Sequence, residues 1–332
     1  MSFMENKIDF VIPWVDGNDP EWQKEKQKYD TTQGDKKDIR FRDWENLQYW
    51  FRGVEKFAPW VNKIYFVTWG HLPKWLNTNH PKLNVVNHSD FLKRENLPVF
   101  NSCAIEINLH RIPGLSERFI YFNDDTFLIN HVKEKDFFKK GLPRDEAIPN
   151  PSPSVSRIGV GCAISNNMEV INTMFNKRSS MSKNIFKWFH PLYKHKNIAS
   201  LCLLPWPKFA AFATTHLPLA YLKSTFQEVW EHEELTLSET SKSKFRNKND
   251  VNQWIMRYWQ LASGNFIPRN ISFGKSFMLE DNNEEALTAI KKQKFKMICL
   301  NDTVKIKNSI HVKKSIINAF RAILPNKSSY EK

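Results

Sequence analysis

No CxxC pair and no Cys–His spacing of the zinc-binding kind occurs in this chain of 332 residues. Its four cysteines, Cys103, Cys162, Cys202 and Cys299, stand far apart, which excludes a zinc module or a disulfide framework and fits reduced, buried thiols in the cytoplasm. A secretory signal is lacking too, because Met1 to Lys7 runs straight into a strand-like segment without an extended apolar core. The longest apolar stretch, Ile198 to Ala213, is interrupted by Pro205, Pro207 and Lys208 and is shorter than the roughly 20 residues a spanning helix needs. The expectation is a protein that stays on the cytoplasmic side. Recognition-helix, RNP and zinc-finger patterns are also missing, so the nucleic-acid reading suggested by a net charge of +14 and twelve tryptophans has no motif to rest on.

Acidic residues are absent where positive charge collects. Val170 to Gln227 holds eight Lys/Arg and no Asp or Glu, and Lys291 to Lys327 holds ten Lys/Arg against Asp302 alone. Such segments attract an anion, whether a phospholipid surface or a diphosphate, although many of the lysines are ordinary solvated surface. With 41% hydrophobic and 14% aromatic residues, the chain can bury one large core or two closely joined ones.

Short β-branched and aromatic runs at Ile8 to Val15, Lys63 to Trp69, Leu83 to His88 and Arg118 to Asn123 predict buried strands. Between the first two, Trp44, Leu47, Trp50, Phe51, Val54 and Phe57 recur at helical spacing within Asp43 to Phe57. Alternating strand and helix predicts an α/β fold, a parallel, doubly wound sheet with its chemistry at the carboxyl ends of the strands. Pro143 to Ser156 reads as a loop or module boundary. Beyond it, Asn166 to Phe175, Leu217 to His232, Val251 to Ala262 and Glu284 to Lys292 read as helices, with a late return to the sheet at Phe295 to Leu300. The expected organisation is one catalytic unit over 1–332: an α/β part (1–142), a mainly helical part over the sheet's open edge (143–294), and a returning strand with a basic C-terminal helix (295–332). No internal repeat is visible.

Three polar clusters fall at predicted strand ends: Trp14-Val15-Asp16-Gly17-Asn18-Asp19, Tyr121-Phe122-Asn123-Asp124-Asp125 and Cys299-Leu300-Asn301-Asp302. Carboxylates at the carboxyl edge of a parallel sheet can hold a hard divalent cation, which neutralises a substrate diphosphate. Asn and Asp are equally ordinary turn formers and caps, so each cluster alone is weak. Glu106, His110 and Arg111 lie on a predicted helix from Ser102 to Ile112, with Glu106 and His110 four residues apart and so on one face. His216 and Arg246 could serve as base or phosphate ligand and as a diphosphate clamp; nothing in their local sequence singles them out.

Taken in order, these segments resemble the Stealth family, which includes bacterial capsular polysaccharide phosphotransferases and the animal lysosomal-enzyme GlcNAc-1-phosphotransferase. The first block looks like Ile8 to Asp19. The second runs from about Arg40 to Leu128 and includes Ala58-Pro59-Trp60-Val61, Pro73-Lys74-Trp75-Leu76, Ser102 to Glu106, His110-Arg111-Ile112 and Tyr121 to Asp125. The third covers roughly Phe209 to Trp259 with His216 and Arg246, and the fourth is Cys299 to Asp302. Asn130 to Pro207 carries no recognisable match, and the animal enzyme's large insertions are absent.

The resemblance implies a Rossmann-like, glycosyltransferase A-like fold and transfer of hexose-1-phosphate or N-acetylhexosamine-1-phosphate from a UDP-sugar to a hydroxyl of a lipid-linked oligosaccharide or growing surface polysaccharide, with release of UMP. It implies Mg2+ or Mn2+ on Asp124 and Asp125. Catalytic roles fall to His216, Arg246 and Asp125, and substrate contacts to Trp14, Asp16, Asp19, Glu106, His110, Arg111 and Asp302. Whether His216 or a carboxylate is the general base stays open. The alternative enzyme class is a metal-dependent retaining glycosyltransferase, which releases UDP. A peripheral contact with the anionic inner leaflet is a further expectation. It rests on Val312, Ile316, Ile317, Phe320, Ile323 and Leu324, which recur at helical spacing beside Lys313, Lys314 and Arg321. The same stripe could instead pack on the protein's own core.

Overall fold

A computed structural model of the chain describes residues 7–29, 43–151 and 160–332. Arg40 to Arg42 of the second motif block and Ser152 to Ser156 of the expected loop lie outside the described residues. Eleven strands occur among the described residues. The first four, β1 (Ile8–Pro13), β2 (Ile64–Thr68), β3 (Leu83–Asn87) and β4 (Arg118–Tyr121), match the predicted strands after trimming at their ends. They are followed by β5 (Thr126–Leu128), β6 (Phe138–Lys139), β7 (Leu142–Asp145) and β8 (Leu219–Leu222). The last three are β9 (Ile267–Pro268), β10 (Gly274–Met278) and β11 (Met297–Asn301).

The main sheet has the order β3-β2-β1-β4-β8. Its first four strands are parallel and β8 pairs antiparallel to β4. This is the expected α/β, Rossmann-like and mostly parallel sheet, closed on one side by an antiparallel edge strand. Both faces of β1 are covered, which explains why its residues are apolar apart from Asp9. The acid within that run, Asp9, is fully buried. Its carboxylate accepts hydrogen bonds from Asn62 Nδ2 (2.7 Å) and from the backbone N–H groups of Lys63 (3.1 Å) and Ser116 (2.8 Å). It thereby ties the entries of β2 and β4 to β1 at the amino edge, leaving the carboxyl edge free for chemistry.

Helix Leu47–Phe57 lays Leu47, Trp50, Phe51, Val54 and Phe57 into the core below that sheet. It can approach β5 because residue 53 is glycine: a Cβ there would stand 2.9 Å from the Leu128 carbonyl oxygen. The close approach fixes the end of β5, the strand that follows Asp124 and Asp125.

Several expectations need correction. The returning strand β11 does not rejoin the main sheet; it lies between β10 and β5 in a second, three-stranded sheet. Ser102 to Ile112 is not one helix but an α-helical turn, Ser102–Glu106, and a 3-10 turn, Leu109–Arg111. Asn108 breaks it by turning its side-chain amide onto the Ala104 carbonyl and the Ser241 hydroxyl. Leu217 to His232 begins as β8, because pairing with β4 overrides helical spacing, and becomes helical only over Lys223–His232. Pro143 to Asp145 belong to β7 rather than to a loop. At the C-terminus, Val312, Ile316, Phe320, Ile323 and Leu324 are all buried in the core, so the helix Ser309–Ile323 spends its apolar face on the protein itself. No helix among the described residues is long and apolar enough to cross a membrane.

A buried ion pair ties the end of β7 to helix Trp254–Ser263. Arg257, on helix Trp254–Ser263, donates from Nε to Asp145 Oδ2 (2.7 Å) and from Nη2 to Asp145 Oδ1 (2.9 Å). Its remaining donors reach the carbonyls of Ala213 (2.9 Å) and Glu146 (3.2 Å). Removing one partner strands the other charge in the interior, at a cost of about 3–5 kcal/mol. Arg257→Ala is therefore expected to lower unfolding stability by that amount in urea titrations, whereas substitution of exposed Lys208 leaves it unchanged.

Candidate active site

At the carboxyl edge the main sheet opens into a cavity of about 670 Å3. The register explains its contents. Val11 of β1 pairs with Tyr121 of β4, and Tyr121 pairs with Leu219 of β8. Because β8 runs antiparallel, its beginning lies beside the end of β4, so the residue three before Leu219 meets the residue two after Tyr121. These are His216 and Asn123.

His216 sits at φ 49°, a left-handed conformation that non-glycine residues rarely adopt and that is often found at functional sites. Its imidazole is held between two amides: Asn301 Oδ1 lies 3.0 Å from Nδ1, and Asn123 Nδ2 lies 2.6 Å from Nε2. The amide orientations follow from their other partners. The Tyr121 hydroxyl shares its single hydrogen between Asn123 Oδ1 (2.7 Å) and Glu106 Oε1 (3.0 Å), and Asn301 Nδ2 donates to Ser276 Oγ (3.2 Å). With the amides so oriented, Asn301 Oδ1 faces Nδ1 as an acceptor and Asn123 Nδ2 faces Nε2 as a donor. A base oriented by a third group is the arrangement that general-base chemistry needs.

Asp124 and Asp125 follow Asn123 in the turn before β5, where the Leu300 N–H donates to the Asp125 carbonyl (2.9 Å) and holds β11 against it. Ligand atoms of Asp125, His216 and Cys299 lie within 4.8 Å of one another. Cys299 Sγ donates to Asp125 Oδ2 (3.3 Å), while buried Asp125 Oδ1 has no hydrogen-bond partner among the described residues. A buried carboxylate oxygen left over in this way, next to a second carboxylate, suits a hard divalent cation. Burial and the Asp125 charge hold the Cys299 thiol well above its ordinary pKa. Asp124 is exposed at the cavity surface. The enclosing walls, with the neighbouring Asp125 charge, push its pKa up to about 7.

Arg246 enters from the opposite wall, where Nη2 donates to Ser102 Oγ (2.7 Å). Glu106, one helical turn from Ser102, is buried and receives the Tyr121 hydroxyl at 3.0 Å. Burial raises the pKa of Glu106, and the positive charge of Arg246 opposes the shift. A continuous chain of side chains thus runs from Arg246 through Ser102, Glu106, Tyr121 and Asn123 to His216.

Of the residues expected from sequence, Trp14, Glu106, Asp124, Asp125, His216, Arg246 and Asp302 line this cavity. Asp16, Asp19, His110 and Arg111 do not. The Asp16 backbone N–H donates to His71 Nε2 (2.8 Å), and Asp19 caps helix Pro20–Gln27 by accepting from the Trp22 N–H (2.8 Å). Both are turn-forming roles. His110 packs on Phe226 and Trp230, with its pKa lowered to about 3 by burial and Arg111, and Arg111 stacks over Trp230. Loss of the continuous helix after Glu106 turned both away. Asn123, Asn301, Tyr121 and Ser102 were not assigned roles from sequence, although both asparagines stand in the strand-end clusters.

Comparison with known proteins now bears on this geometry. The models for Stealth protein conserved region 1 and conserved region 2 match residues 6–34 and 40–145. A capsular polysaccharide phosphotransferase, WcwK of Streptococcus pneumoniae, is 45% identical over 100% of both chains. The chain belongs to the Stealth family. It is accordingly an enzyme of the phosphotransferase class. Other relatives in this family are the exopolysaccharide phosphotransferase cps2G of Lactiplantibacillus plantarum, 40% identical over 98% of this chain and 96% of that one, and the receptor polysaccharide phosphotransferase WefC of Streptococcus oralis, 40% identical over 98% and 99%. The galactosyltransferase LgtC superposes loosely, at a TM-score of 0.41 and 9% identity over 97% of this chain and 98% of that one.

If His216 and Arg246 act on one substrate in this Stealth enzyme, His216→Ala and Arg246→Ala should each lower turnover by at least about two orders of magnitude. Steady-state kinetics on folded variants checks this; activity within a few-fold of the parent would remove the residue from the mechanism.

Proposed function

We propose that the protein transfers hexose-1-phosphate or N-acetylhexosamine-1-phosphate from a UDP-sugar to a hydroxyl of a growing surface polysaccharide. The acceptor oxygen forms a bond to the β-phosphorus, the bond from that phosphorus to the bridging oxygen breaks, and UMP leaves. The reading is carried by one observation, the oriented imidazole of His216 beside Asp125 in a cavity whose far wall holds Arg246. The phosphotransferase names of the full-length relatives support it.

Asn301 holds the Nδ1 hydrogen of His216, which leaves Nε2 to take the acceptor's proton once a hydroxyl displaces the Asn123 amide. Arg246 offers a planar fork of donors to phosphate oxygens. Trp14, stacked on Phe66 with ring centroids 5.7 Å apart, presents an aromatic edge to the nucleotide end. A bound Mg2+ or Mn2+, held by Asp124 and Asp125, would neutralise diphosphate charge. Phosphoryl transfer depends mainly on such positioning and charge neutralisation.

Incubation with a panel of UDP-sugars, Mg2+ and a synthetic or lipid-linked oligosaccharide should yield UMP and a phosphodiester resonance in the phosphorus NMR spectrum. Release of UDP with no phosphodiester would instead identify a glycosyltransferase and overturn the proposal.

The metal assignment is tested separately. EDTA should abolish transfer and added Mg2+ or Mn2+ restore it, while Asp125→Asn should lose the Mn2+ binding that the parent shows by electron paramagnetic resonance. Full activity in excess chelator would remove the cation from the mechanism.

A further inference from the structure

We infer that the segment from Lys177 to Lys208 is a docking face that seats the protein on an anionic phospholipid surface. The C-terminal helix, expected to do so, is buried against the core. The exposed apolar residues lie elsewhere. Within helix Asn197–Cys202 and the turn after it, Ile198, Leu201 and Leu204 are exposed at spacings of three, which puts them along one side. Trp206 follows, 58% exposed, and Phe186, 85% exposed, projects from the preceding helical turn Ile185–Trp188. A soluble surface rarely leaves so many large apolar side chains in one segment without a partner.

The face is held rigidly. Buried Lys177 donates from Nζ to the carbonyls of Leu203, Leu204 and Trp206, fixing the turn with its side chains outward. At the base, the Asn172 side chain exchanges hydrogen bonds with the backbone of Phe209. The outward set of side chains is therefore a feature of the fold.

Charge selects the occupant. Arg178, Lys183, Lys194, Lys196 and Lys208 are exposed around these apolar residues, and the sequence contains no Asp or Glu from Val170 to Gln227. A second copy of the chain, docked through the same face, would set this cationic cluster against itself. An anionic lipid leaflet complements both components: lysines meet headgroups, and Trp and Leu enter the interface. Helix Val160–Met174 links the cavity wall at Val160 to this segment, so the face stands about 20 Å from the cavity along that helix.

Vesicle flotation tests the inference without reference to activity. The full chain should float with phosphatidylcholine vesicles containing phosphatidylglycerol, not with phosphatidylcholine alone, and should be released by salt. The double substitution Leu201→Ser with Trp206→Ser, and separately Lys194→Glu with Lys196→Glu, should each weaken vesicle binding at least about tenfold. Both should keep the parent's thermal unfolding midpoint, since the altered residues are exposed. Equal flotation of parent and both variants would overturn the inference. So would a parent that fails to float but is dimeric by light scattering while the Leu201/Trp206 variant is monomeric, because a second copy would then be the occupant.

Discussion

The two-pronged contact between Arg257 and Asp145 locks helix Trp254–Ser263 onto the end of β7. The same guanidinium also holds the Ala213 carbonyl, three residues before His216. A charge pair outside the cavity thus sets the path by which the imidazole arrives. Buried pairs of this kind add little net stability over a packed apolar alternative but tolerate few geometries, and here the single geometry is the one that completes the site.

Within the site, the hydrogen bonds to the imidazole run to neutral amides, and the Asp125 carboxylate lies within 4.8 Å without being hydrogen-bonded to it. Asn301 and Asn123 fix ring orientation without adding a negative charge where phosphate oxygens would gather. The acids stand one step further along the turn, at Asp124 and Asp125, where the electrostatic demand is for a cation. This division of labour supports the proposed chemistry better than any one residue does.

Much of the α/β part was legible because its strands are buried on both faces and read as largely apolar runs, as in Phe10 to Pro13 and Ile64 to Val67. The acidic cluster at Asn123 to Asp125 was legible for the same reason: the strand before it is unmistakable. Misreadings came where a long-range partner outweighed local pattern. β8 looked helical until its pairing with β4 is seen, and β11 found β5 rather than the main sheet. The helix expected over Ser102 to Ile112 failed at Asn108, whose side chain competes for backbone groups, and that break redirected His110 and Arg111. No local feature of Thr214 to Pro218 singles out His216; only the antiparallel return of the chain gives it its neighbours.

That return has a consequence for the order in which the protein comes into being. The hydrogen bond from Asn123 to His216 spans 93 residues of sequence, and that from His216 to Asn301 spans another 85. A nascent chain emerging from the ribosome therefore holds Asp124 and Asp125 long before it holds anything to place opposite them. The His216 imidazole gains its second partner only when β11 has been synthesised and inserted beside β5. A translation product that ends before Val304 lacks part of the cavity lining.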